Sequence, residues 1–86
     1  MPEISRFFGI VIAMYYRDHA PPHFHARHGD REIRVAIESG AILSGRLAAG
    51  AQRLVLAWCE LHREELLSDW TRAAERKPLL PIRPLE

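Results

Sequence analysis

Four of the five histidines in this 86-residue chain, His19, His23, His25 and His28, fall within ten residues of one another. Neutral imidazole is the commonest metal ligand, and its pKa lies near physiological pH. His23 and His25, two apart in an extended segment, project from the same face and can hold Zn²⁺ or another divalent ion together. Asp18 or His19, from the preceding turn, can complete a three-ligand set. The pattern demands no cofactor, and such a metal is the one it could accept. No His-Glu-x-x-His helix or cysteine pair supports the site. A second chemistry is metal-free RNA cleavage, in which His23 and His25 act as base and acid while Arg27, with Arg31 nearby, faces the phosphate. The competing reading is structural: half-buried imidazoles donate to carbonyls and stack on Phe24, Tyr15 or Tyr16. In a regular strand His28 points away from His23 and His25, which counts against one tight cluster of all three.

The elements that must position these residues are short. Residues 7–16 form a β-branched and aromatic run that reads as one strand, with Gly9 as a bulge or close approach. Pro21-Pro22 interrupts the ladder, and residues 23–28 make a second strand. Gly29-Asp30 is a two-residue link into a third strand over 31–38, where Ile33, Val35 and Ile37 alternate with Glu32, Arg34 and Glu38. A fourth strand fits 41–47, weakened by Gly45. Short connections require an antiparallel meander.

From residue 51 to 76 the period changes to three and four. Val55, Cys59, His62, Leu66, Trp70 and Ala73 form a stripe, widened by Leu54, Trp58 and Leu61. A straight helix of this length would span about 39 Å. That overruns a small sheet, so either part of its apolar arc meets another surface or the helix breaks, with Ser68-Asp69 as the expected point. Cys59 lies on the stripe and reads as an inert buried thiol. Lys77-Pro78 ends the helix, and Leu79, Leu80, Ile82 and Leu85 sit between prolines in an extended tail over 77–86.

Composition narrows the classes. Apolar residues make up 48% of the chain, charged residues 27%, and the formal net charge is +1. The chain is thus too apolar for disorder and too weakly charged for a module built around a phosphate backbone. A nucleic-acid face would have to come from Arg27, Arg31, Arg34 and Arg46, which are interleaved with Glu32 and Glu38. One cysteine excludes an internal disulfide. No apolar run reaches membrane-span length. The opening Met-Pro-Glu does not read as a secretion signal, so a cytoplasmic protein is expected.

The chain resembles the DUF4160 family of small bacterial proteins. The resemblance rests on Phe7-Phe8-Gly9-Ile10-Val11-Ile12-Ala13-Met14-Tyr15-Tyr16-Arg17-Asp18-His19, on Pro21-Pro22-His23-Phe24-His25-Ala26-Arg27-His28-Gly29, on Trp58-x-x-x-His62-Arg63-x-Glu65-Leu66-x-x-x-Trp70 and on the closing Ile82-x-Pro84-Leu85. It covers essentially the whole chain. It implies a protein partner, because genes of this family commonly adjoin those of DUF2442 proteins in an arrangement similar to toxin–antitoxin pairs.

The expectation is therefore a single α+β domain over 1–86: an antiparallel sheet of three to four strands, one long C-terminal helix and a Pro-rich extended tail. Its expected role is protein interaction within a two-gene regulatory module, through Trp58, Leu61, Trp70, Leu79, Leu80, Ile82 and Leu85. The partner is a small protein, with self-association also open. The alternatives are a ribonuclease-like or metal-dependent enzyme using His23, His25 and Arg27, and a nucleic-acid-binding regulator.

Overall fold

The computed structural model describes residues 2–86; Met1 lies outside the described residues. Five strands form one antiparallel meander in the order β1-β2-β3-β4-β5. They are β1 (Glu3–Phe7), β2 (Ile10–Ala13), β3 (His23–His28), β4 (Arg31–Ala36) and β5 (Ile42–Gly45), followed by α1 (Ala49–Leu61) and α2 (Arg63–Ala74). The fold is α+β, with one strand more than the sequence suggests.

The extra strand comes from the N-terminal apolar run. What reads as one strand over 7–16 is the end of β1, a two-residue turn and β2. Phe8 and Gly9 both have positive φ, 49° and 78°, and Phe7 pairs with Ile10 across them. Two central residues in the left-handed region are what a tight hairpin of twisted strands requires. Glycine adopts this geometry freely and phenylalanine rarely does. Gly9 is therefore a turn residue and not a bulge. β3 has the expected bounds, and His28 pairs with Arg31 across the Gly29-Asp30 link.

The helical segment is not one long rod. It breaks at His62, whose φ of −118° and ψ of 26° leave helical geometry, and not at Ser68-Asp69. The His62 N–H still donates to the Trp58 carbonyl, and the His62 carbonyl still accepts from Leu66. The break is therefore a kink and not a loop. Packing accounts for it. The molecule measures 33 × 25 × 22 Å, shorter than the straight helix would be. At the kink Arg63 Nε donates to the Ile37 carbonyl at 2.9 Å, which holds the start of α2 to the end of the sheet.

The core joins Ile10, Ile12, Phe24, Ile33 and Val35 of the sheet to Val55, Trp58, Cys59, Leu66 and Ala73 of the helices. Each fully buried large apolar side chain contributes about 1.5–3 kcal/mol, so this layer dominates stability. Residues 77–86 form neither helix nor strand. Ile82 is buried, and its N–H donates to the Ile4 carbonyl of β1 at 2.8 Å. Trp58 Nε1 donates to the Arg83 carbonyl at 2.9 Å. Buried Asp69 accepts from the Leu80 N–H and from Arg72, both at 2.9 Å.

Cys59 occupies this core. Burial pushes its thiol above the ordinary range, and nearby Arg63 offsets this only in part. A buried thiol reacts only when the chain opens. Labelling of native protein with a disulfide reagent should be at least about 1,000-fold slower than in denaturant, in line with typical folding equilibria. Stopped-flow absorbance measures both rates, and comparable rates would contradict the burial.

Candidate functional site

The histidine segment assembles on β3 and the loop before it. β3 alternates: Phe24 and Ala26 are fully buried, while His25 is half-buried and Arg27 exposed. His23, at the start of the strand, is also buried. Its ring packs on Trp70 of α2 and on His25, with centroids 5.2 and 5.3 Å apart. Tyr15, two residues past the end of β2, meets the His25 ring edge-on at 4.5 Å. The loop from β2 to β3 carries Asp18 back over the strand.

Asp18, His23 and His25 each offer one ligand atom, and these atoms lie within 4.8 Å of one another. His23 Nδ1 is 2.8 Å from the Pro21 carbonyl, which can only accept, so this nitrogen carries the proton. His25 Nδ1 is 3.0 Å from Glu32 Oε2, and an ionised carboxylate likewise only accepts. Both Nε2 atoms then face Asp18 Oδ2, at 3.0 Å from His23 and 3.4 Å from His25. In neutral imidazoles these would be lone pairs aimed at another acceptor. A bound cation between them would relieve that opposition. Burial raises the Asp18 carboxyl pKa, but the His19 N–H and the two imidazoles outweigh it and hold the carboxyl below its usual range.

His19 contributes its backbone N–H to Asp18 at 2.8 Å, and its side chain is not one of the three grouped donors. His28 sits over Gly9. Arg27 lies one pleat beyond His25 on the exposed part of β3, opposite Glu32. The cavity beside the cluster, between Tyr15, Arg17, Asp18 and Trp70, holds about 10 Å³, room for about one water. Sequence reasoning placed neither Glu32 nor Trp70 at the histidine cluster; Trp70 was expected at an interaction surface. The hairpin register, with Arg27 opposite Glu32, could have found Glu32 as a diagonal neighbour of His25. Trp70 reaches His23 through tertiary packing, for which no local signal exists.

The four candidate arginines differ in what holds them. Arg34 donates to Ser44 Oγ at 2.8 Å, while Arg27, Arg31 and Arg46 are exposed. The candidate interaction residues divide. Trp58 and Ile82 are buried inside the fold, so they are corrected from contact surface to core. Trp70, Leu79 and Leu85 pack half-buried against that core. Leu61 and Leu80 are exposed, at 69% and 52%, and Phe8, unassigned from the sequence, at 62%. Leu61 lies at the α1–α2 corner beside a groove of about 470 Å³ lined by Glu60, Glu64, Glu65 and Leu67 as well.

Among the described residues no helix is long and apolar enough to cross a membrane. Neither a curated protein nor a solved structure matches the chain. The family model for a domain of unknown function, DUF4160, matches residues 9–71, from the first hairpin turn into α2, and the chain belongs to that family.

Proposed function

We propose that this domain is a protein-interaction module whose partner presents a basic segment with an apolar anchor to the α1–α2 corner. The carrying observation is the groove there. It combines a largely exposed leucine with carboxylates from Glu60 and Glu64, while Glu65 is paired with His62 Nδ1 at 2.6 Å in the same wall. Arg63, the cation in the same wall, is engaged with the Ile37 carbonyl. An apolar anchor rimmed by like charges favours a partner of opposite charge, which gains both burial and steering. Within the reading, the domain is one component of a two-gene regulatory module of the bacterial cytoplasm, its partner a second small protein.

A photo-crosslinking residue placed at Leu61 in cells tests this, with Arg53 as the control position. One discrete adduct with a small protein is expected. Binding of the purified pair should weaken at least about 10-fold in Glu64→Lys and at high salt. No adduct, an adduct of two copies of this chain, or a partner indifferent to Glu64→Lys would overturn the proposal.

A further inference from the structure

Two features of the imidazole cluster go beyond what a structural role requires. The first is the way each ring is held. His23 and His25 sit on one strand, and each has its Nδ1 proton taken up by an acceptor outside the cluster: the Pro21 carbonyl and the Glu32 carboxylate. Histidines that bind metals nearly always donate their second ring nitrogen to a carbonyl or carboxylate in this way, which fixes the tautomer and aims the free nitrogen at the ion. Here both free nitrogens are Nε2, and both aim at the same carboxylate oxygen.

The second is dimension and charge. Tetrahedral zinc with nitrogen and oxygen ligands at about 2.0–2.2 Å places its donors about 3.3 Å apart. The two Nε2-to-Oδ2 separations, 3.0 and 3.4 Å, bracket that value, and all three donor atoms lie within 4.8 Å of one another. Two neutral imidazoles and the carboxylates of Asp18 and Glu32 carry two negative charges, which one divalent ion cancels. Shelter is graded: the His23 side chain is 2% exposed, His25 13% and Asp18 20%. The ion would thus enter from the Asp18 side, between the aromatic walls of Tyr15 and Trp70. Imidazole with a single carboxylate suits zinc, cobalt or nickel, whereas magnesium and calcium require mostly oxygen.

We infer that Asp18, His23 and His25 form a binding site for one divalent transition-metal ion, with Glu32 and the Pro21 carbonyl orienting the rings and one coordination position left open. The site pins the β2–β3 loop to β3. It is independent of the groove at Leu61, so either proposal can fail alone.

The test is calorimetric titration of metal-free protein with ZnCl₂, CoCl₂ and MgCl₂ at neutral pH. One Zn²⁺ per chain should bind, Co²⁺ should show a visible ligand-field band, and Mg²⁺ should not bind. Asp18→Asn keeps the side-chain shape, and His25→Ala removes the less buried of the two rings; each should weaken Zn²⁺ binding at least about 100-fold. His19→Ala should bind as the native chain does. Circular dichroism checks that each variant is folded, and Asp18→Asn keeps the test valid if His25→Ala is not. Absence of Zn²⁺ and Co²⁺ binding, or binding unchanged in folded Asp18→Asn, overturns the site.

Discussion

Gly45→Ala should cost about 4 kcal/mol of folding free energy, a large fraction of the about 5–15 kcal/mol that holds a domain folded. Gly45 ends β5 with φ of 81° and pairs with Ile33 of β4. A Cβ built there falls well inside contact distance of the Glu32 carbonyl oxygen. It also lies 3.0 Å from the Glu32 carbonyl carbon and 3.2 Å from the Ile33 Cα. All three atoms are backbone within the β3–β4 ladder, so no flexible side chain can yield. A left-handed φ strains any L-residue, and here the clash adds to the strain. The chain must either abandon β4–β5 pairing or shift Glu32, the partner of His25. Urea unfolding followed by circular dichroism measures the loss, and a change under 1 kcal/mol would show that β5 tolerates a side chain at this point.

Trp58→Ala should cost about 3–5 kcal/mol. The ring is fully buried, with centroids 5.5 Å from Phe7, 5.6 Å from Phe24 and 5.5 Å from His62. It therefore joins β1, β3 and the helical kink. Its Nε1 also donates to the Arg83 carbonyl, so truncation opens a cavity and releases a hold on residues 77–86. Trp58→Phe separates the two effects. It keeps most of the aromatic contact and loses the hydrogen bond, for an expected cost about half as large. Thermal melts of the two variants measure this, and equal losses would assign the role of Trp58 to the hydrogen bond and not to packing.

Legibility in the sequence followed the locality of the cause. β3 and β4 were readable because alternation and a two-residue link are local, and the link sets the register. The β1–β2 turn was hidden because Phe8 is not a turn residue and the apolar run continues through it. The helical kink at His62 carries no glycine or proline; it is imposed by the short sheet and by Arg63 reaching the Ile37 carbonyl, contacts that exist only once the layers meet. The same division holds in the site. His23 and His25 share a face by strand period, and Asp18 was within reach of the turn. The choice of Asp18 over His19, and the wall made by Trp70, depend on how the loop and α2 come to rest.

An antiparallel sheet that does not close has two borders, each a template on which a neighbouring molecule can add strands without limit. Here the border at β1 is overlaid by Ile82, whose N–H is bound to the Ile4 carbonyl. The border at β5 is only four residues long and ends in left-handed Gly45. A short border that twists away gives an incoming strand little to copy. Residues 77–86 therefore help keep the molecule from polymerising through its sheet, and a chain that lost them would be exposed to filament growth at β1.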